Sequence, residues 1–445
     1  MVAPFPELEF GGNLATMAGC ATFLEEQEQM IYHKRTVCRA CGAERLRRFL
    51  SLGPQPLANS FLKSPDEFAD EHRYPLDVCL CEECSLVQIP DVIDPEALFR
   101  HYVYVTGTSD TIAAHNRVYA HTVVDLLNLG ADDLVVEVAS NDGSLLKCFQ
   151  PHGVKTLGVE PATNIAEIAR ASGVETVNEF FNPAIAEQIR QSHGPARAVI
   201  GNNVLAHVDD TRAFLRGCAA LLPSADMDDG LVIIEAPYLR DLIDLLAYDT
   251  VYHEHHCYFS VTSLKRLCEE TGLVIVRIDR LPVHGGTLRM YAGLREKHGR
   301  HAAEVETWVE DERRAGMSDF ACYEKLAADV AANRQSLVRL LEQLKQEGKT
   351  VAGYSAPAKG NTLLNYCGIG TELLPYTVDK SPLKVGLYTP GTHIPVLPAP
   401  TLIERQPDYV LILAWNFAEE IMRQQSEYRE RGGRFIIPIP EPKVV

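Results

Sequence analysis

"VVEVASNDGSLL", residues 135–146, reads as a strand that ends in small and polar residues and then enters a helix. Gly143 lets the backbone come close to a ligand, while Glu137 and Asp142 supply hydrogen-bond acceptors. Taken alone, Asp142 serves equally well as a helix N-cap. A carboxylate suits a cationic or hydroxyl-rich ligand better than a phosphate, so the stretch departs from a dinucleotide fingerprint.

Working outward, the next apolar run, "TLGVEP", ends at Glu160, where an acidic side chain can accept both hydroxyl hydrogens of a ribose. A later run ends in "GNNVLAHV" and brings Asn202, Asn203 and His207 to the same kind of position. Between about 105 and 295, runs such as "LVVEVAS", "ETVNEFF", "ARAVIGNNVL", "GLVIIEAPY", "LVIVRIDRLP" and "LRMYAGL" alternate with helix-like stretches. That rhythm predicts a doubly wound α/β sheet. The last two runs are joined by "VHGG", too short for a helix, so the final strand is expected antiparallel to its neighbours. Ligands of open α/β sheets bind outside the carboxyl ends of the strands, where all these polar residues fall. S-adenosylmethionine fits them best, because its sulfonium and ribose favour carboxylates and it offers no phosphate. The expected donor-binding set is Glu137, Ser140, Asn141, Asp142, Gly143, Glu160, Asn202 and Asn203.

The chain has 445 residues, too many for one core, so two or three domains are expected. Apolar residues make up 46% and charged residues 23%, a balance that can bury a core. A formal charge of −18 argues against nucleic acid as a partner. No stretch reads as a membrane span or a signal segment, so a soluble cytoplasmic enzyme, taken as a monomer, is the working class. In that compartment the twelve cysteines are reduced, and closely spaced ones suggest metal ligands before disulfides.

"CRAC" and "CEEC" give two C-x-x-C pairs, Cys38 with Cys41 and Cys81 with Cys84. Each places two thiolates on one side of a tight turn, and two such turns complete a tetrahedral zinc shell with no open position. Such a site is structural, and it would help hold a segment too short and too broken by Pro and Gly to hold itself. Cys79 is the alternative to Cys81. Residues 318–346 space Phe320, Tyr323, Ala327, Val330, Leu337, Leu341 and Leu344 as one face of a long helix. After Gly348, "TVAGYS", "LPYTVDKS", "DYVLILA" and "RFIIPIP" predict a second α/β unit.

"CRAC" with "CEEC", "LGPQPLANSF", "HYVYVTGTSD", "SNDGSLL", "NNVLAHV", "YHEHHCYFS", "HGGTLRMY" and "SAPAKGNTLLNYCGI" together resemble one family from about Cys38 to the C-terminus. It is that of the S-adenosylmethionine-dependent C-methyltransferases that alkylate nucleotide-linked deoxysugars at C-3. The resemblance implies a small N-terminal zinc-binding domain, a central class I methyltransferase sheet of Rossmann-like type, and a C-terminal Rossmann-like α/β domain. Expected boundaries are an extension over 1–37, the zinc domain over 38–104, the methyltransferase domain over 105–295, a helical linker over 296–347, and the substrate-binding domain over 348–445. The implied substrate is a 4-keto-deoxysugar on a nucleoside diphosphate. Methylation of another natural product at O or N, or ligand binding without turnover, are the alternatives. Ala139 stands where the family often has Gly.

"YHEHHCY", residues 252–258, follows the fifth strand-like run. Its histidines are not in H-E-x-x-H register for a metal. Proton transfer fits better, because methylating carbon beside a ketone requires removal of a weakly acidic C–H proton, and a neutral imidazole can take it. His255 is the expected base, as the resemblance also implies. Tyr252 is expected to donate to the developing oxyanion, Glu254 to orient an imidazole or meet the sugar, and His207 to share the proton traffic. Tyr104, in preference to Tyr102, is expected to face donor or substrate. Lys359 in "GYSAPAKGNTLL" is placed to meet an anion such as a diphosphate, and His284 and Gly285 to approach the sugar.

Overall fold

The computed structural model describes residues 31–100, 110–283 and 286–445. Tyr102, Tyr104, His284, Gly285 and the extension as far as residue 30 lie outside them. The first part is built from β1 (Tyr32–Lys34), β2 (Leu46–Gln55), β3 (Tyr74–Cys81), β4 (Val87–Gln88) and β5 (Asp91–Ile93). Strand pairing begins ahead of the first cysteine, since β1 runs antiparallel to β5. Strands β2, β3 and β4 form an antiparallel meander.

The middle part contains β6 (Leu134–Val138), β7 (Lys155–Val159), β8 (Thr176–Val177), β9 (Ala198–Asn202), β10 (Leu231–Pro237), β11 (Cys257–Tyr258), β12 (Leu273–Leu281) and β13 (Thr287–Leu294). All but β11 form one sheet in the order β12-β13-β10-β9-β6-β7-β8. Strands β6 to β10 are parallel, whereas β13 is antiparallel to both β10 and β12, as the short connection requires. The strand expected across "ETVNEFF" shrinks to Thr176–Val177. Asn182 takes the Ala184 and Ile185 N–H groups as an N-cap with Pro183 behind it, so the helix Pro183–His193 is the next element and the end of the run only leads into it.

The C-terminal part contains β14 (Val351–Tyr354), β15 (Thr377–Asp379), β16 (Val396–Pro398), β17 (Tyr409–Ile412), β18 (Arg434–Ile437) and β19 (Lys443–Val444). Its order is β16-β15-β14-β17-β18-β19, parallel except for β19. The helix Phe320–Gln346 leads into it and buries Tyr323, Val330, Leu337, Leu341 and Leu344. Phe320 and Ala327 are only half-buried.

The cores interlock. Cys38, Cys81, Cys84 and Leu86 share one apolar cluster with Val136, Val199, Phe214 and Ile234 of the central sheet and its helices. Leu50, Leu76 and Val78 instead share a cluster with Tyr323, Val330, Leu363 and Leu411 of the C-terminal half. Strand β11, the end of the "YHEHHCY" stretch, pairs with β4 and completes the sheet of the first part.

Candidate active site

The four cysteines of the paired motifs converge. Cys38 Sγ lies 3.5 Å from Cys84 Sγ, Cys41 Sγ lies 3.6 Å from Cys81 Sγ, and all four sulfurs fall within 4.8 Å of one another. A tetrahedron with Zn–S bonds of about 2.3 Å has edges of about 3.8 Å, so the sulfur set fits zinc. Gln88 Nε2 donates to Cys38 Sγ at 3.2 Å, which orients that ligand. Cys79 is outside the set, and burial pushes its thiol up to about 11. Among the described residues no other cluster of His, Cys, Asp and Glu has metal-binding proximity, "YHEHHCY" included.

At the carboxyl end of β6 the chain turns through Ala139 and Asn141, both at positive φ, before Gly143 at φ 73°. A Cβ on Gly143 would sit 2.7 Å from Val174 Cγ2, and one on Gly158 of β7 would sit 2.4 Å from Ser140 Oγ. Neither position accepts a side chain without displacement. Ala139 holds φ 56°, a conformation glycine adopts without cost, which accounts physically for the residue type expected there. Glu160 accepts the backbone N–H groups of Asn141 and Ala162, each at 2.8 Å, and so ties the two strand ends together. Asp142 accepts from Ser144 N at 3.2 Å, the capping contact its position allows.

Glu137 is buried, and its Oε2, like Ser140 Oγ, has no hydrogen-bond partner. Burial, then the nearby carboxylates of Asp142, Glu160 and Glu235, push its carboxyl well above the ordinary range. A pocket with several carboxylates and an orphaned acceptor suits a cation that also carries hydroxyls, the chemistry of S-adenosylmethionine. Asn202 is held from below: its Oδ1 accepts from Tyr119 OH at 3.2 Å, and the Arg289 guanidinium lies 3.6 Å from the Tyr119 ring centroid. Arg289 in turn pairs with Glu235 at 2.5 Å, beside His115. Asn203 has φ 52° and donates its N–H to the Glu235 carbonyl. The Tyr119–Arg289–Glu235 group was not legible in the sequence, because its members lie far apart in the chain.

"YHEHHCY" distributes its side chains to different neighbours. His255 Nδ1 lies 2.9 Å from the Thr250 carbonyl oxygen, so Nδ1 carries the hydrogen and donates it. Nε2 therefore holds the lone pair and accepts from Tyr252 OH at 2.9 Å. Burial holds the imidazole down to about 4, against the Thr250 hydrogen bond that raises it. His207 packs edge-on against it with ring centroids 4.7 Å apart, is kept neutral by burial, and leaves Nδ1 unpartnered. Glu254 turns away and accepts from Asn59 Nδ2 at 2.6 Å, so its partner is an amide of the first domain. His253 contacts the Pro75 carbonyl, and His256 is fully buried with neither ring nitrogen bonded.

The C-terminal domain closes the other side. Lys359, at the start of the helix Ala358–Cys367, lies 5.1 Å from the Trp415 ring centroid, and burial lowers its ammonium despite Asp249. It lines a small pocket with Tyr238, Thr250, Tyr258, Gly286 and Trp415. Lys384 donates to the Ala356 carbonyl beside the Phe61 ring. Sequence reasoning missed Asn59, although it lies within "LGPQPLANSF", and it missed Lys384 and the Thr250 carbonyl. A backbone oxygen has no signature in a sequence.

Comparison with known proteins covers nearly all of this arrangement. A zinc binding domain model matches residues 38–99, a "Methyltransferase domain" model residues 113–278, and a "C-methyltransferase C-terminal domain" model residues 282–440. C-methyltransferase NovU of Streptomyces niveus is 38% identical over 408 residues, spanning 92% of this chain and 96% of that protein. Among solved structures, magnesium protoporphyrin IX methyltransferase of Synechocystis PCC 6803 with bound SAM is 15% identical, covers 42% of this chain and 82% of its own, and has a TM-score of 0.31. Mitomycin 7-O-methyltransferase MmcR is 16% identical, covers 41% and 54%, and has a TM-score of 0.32. The near full-length relative and the three consecutive domain models, rather than these partial likenesses, identify the chain.

Proposed function

The chain belongs to the C-methyltransferases that join a zinc-binding domain, a methyltransferase domain and a C-methyltransferase C-terminal domain, and from that premise we propose that it methylates C-3 of a nucleotide-linked 4-keto-deoxysugar through an enolate. It is an S-adenosylmethionine-dependent C-methyltransferase with a structural zinc. The bound donor supplies an electrophilic methyl group on a sulfonium. Glu137, Glu160, Asn202 and the turn from Ser140 to Gly143 are the residues to hold it.

The observation that carries the substrate reading is the fixed tautomer of His255. A neutral imidazole with Nε2 bare of hydrogen is a base, and the hydroxyl now occupying that lone pair belongs to Tyr252. A ketone oxygen that takes over the Tyr252 hydrogen frees the Nε2 lone pair in the same movement. Substrate binding thus engages the oxyanion donor and uncovers the base together. His255 then removes the C-3 proton, the negative charge spreads to the C-4 oxygen facing Tyr252, and C-3 becomes the nucleophile. O- or N-methylation would not call for this pairing. Lys359 and Lys384 supply positive charge on the side where a diphosphate would leave the sugar.

A panel of dTDP-, GDP- and CDP-linked 4-ketosugars with labelled methyl donor, read by mass, tests the reading. Label is expected on carbon in one nucleotide series, and wild-type enzyme is expected to exchange the C-3 hydrogen for deuterium without the donor. In His255→Asn both reactions are expected to fall by about a hundredfold or more. Label found on oxygen or nitrogen, or full transfer by His255→Asn, would overturn it.

A further inference from the structure

We propose that the C-terminal domain sets the tautomer of His255, with Trp415 and Asp249 as positioning residues that clamp the turn whose carbonyl binds Nδ1–H. This rests on the reading of His255 as the base. The turn Tyr248–Thr250 is a single 3-10 turn between the helix Leu239–Asp244 and the catalytic stretch. It belongs to the methyltransferase domain by sequence, yet the side chains of Tyr248 and Asp249 are held from the other half of the protein. Trp415 Nε1–H, just after β17, donates to Asp249 Oδ2 at 2.6 Å. Tyr248 OH donates to Asn333 Oδ1 at 2.9 Å on the helix Phe320–Gln346, and its ring meets the Tyr366 ring edge-on. Asn333 is itself anchored through Nδ2 to the carbonyls of Pro438 and Pro440.

Asp249 is fully buried, and the indole N–H is the side-chain hydrogen bond that holds it from the C-terminal domain. Burial raises its carboxyl, and the nearby Lys359 ammonium and the Trp415 hydrogen bond work against that cost. Its neighbour in the chain is Thr250, whose carbonyl accepts from His255 Nδ1 at 2.9 Å. If that oxygen moves, Nδ1–H loses its acceptor, and the hydrogen is as well placed on Nε2, which is the wrong nitrogen for a base facing Tyr252. The clamp therefore makes the correct tautomer depend on the C-terminal domain being seated. The clamp is already closed in this structure, so the tautomer is set before the sugar arrives.

The test reads the ring nitrogens of His255 directly, by NMR of the full chain labelled with 15N in histidine and saturated with S-adenosylhomocysteine. The His255 signals are assigned by their absence in His255→Asn. Wild type is expected to show hydrogen on Nδ1 alone. Trp415→Phe, which keeps an aromatic ring but loses the donor, and Asp249→Ala are expected to show a mixture of both tautomers. Asp249→Asn, whose carboxamide oxygen still accepts the indole N–H, is expected to restore the wild-type pattern. Methyl-transfer kcat should fall about tenfold in the first two, with S-adenosylhomocysteine affinity within about twofold of wild type. Should Asp249→Ala fail to fold, Trp415→Phe decides alone. A wild-type tautomer in Trp415→Phe overturns the inference. Full methyl transfer by His255→Asn would instead remove the base and leave the clamp standing, so the two failures are distinct.

Discussion

His255 commits one ring nitrogen to a carbonyl and the other to a hydroxyl, and burial holds its protonated form down to about 4. An exposed histidine base would lose activity as pH fell through about 6.5. Here the acid limb of kcat/KM is expected below pH 5, measured with a saturating donor, and a limb near 6.5 would assign the base elsewhere. The cluster itself was legible in the sequence, since "YHEHHCY" offers three imidazoles within seven residues. Which nitrogen is free was not legible, because the Thr250 carbonyl that decides it is backbone. Glu254 shows the same limit: its partner, Asn59, is brought in from a different domain.

At the scale of elements, the turn after β6 and the paired cysteine motifs were readable because each is local. A strand end, a small turn and a helix start lie within twelve residues, and each C-x-x-C closes on itself. The ambiguity between Cys79 and Cys81 was real because residues two apart on a strand share a face, and the structure resolves it by position along β3: Cys81, at the end of the strand where the turn begins, closes the sulfur cluster, whereas Cys79, farther back, does not. Cys81→Ser is therefore expected to release the zinc, counted by a colorimetric chelator, and to lower the melting temperature by several degrees, while Cys79→Ser keeps the metal. Equal metal content in the two variants would contradict the assignment. The loss should also weaken donor binding, because Cys38, Cys81 and Cys84 pack in one cluster with Val136 and Val199 under the donor turn. Strand β8 was over-read for the opposite reason: a β-branched start was countered by an N-cap and a proline shortly downstream of its end.

At the scale of the whole molecule, the division into three parts was visible as changes of rhythm, but the way they share cores was not. The first sheet gives its cysteine end to the central domain and Leu50, Leu76 and Val78 to the C-terminal one. No helix among the described residues is long and apolar enough to cross a membrane. Four histidines sit in or beside the junction, and burial lowers His207, His253, His255 and His256 below the ordinary range. Each binds a proton in the unfolded chain, near pH 6.5, before it does so in the folded one. Stability is then full above that pH and falls on acidification, by up to about 1.4 kcal/mol per pH unit for each such group. For His255 the window runs from 6.5 down to about 4. Chemical denaturation at pH 7.5 and 5.5 is expected to give a lower midpoint at the acid pH, and an unchanged midpoint would show that these rings are solvated.

Strand β11 carries one last consequence. Cys257 and Tyr258 edge a sheet whose other members, β2 to β4, lie far upstream, between Leu46 and Gln88. The zinc module is therefore not a portable cassette. A chimera that grafted only a relative's N-terminal segment onto this protein would inherit a seam without its matching thread. The recombination points that breed true among such proteins should be those that carry both pieces together.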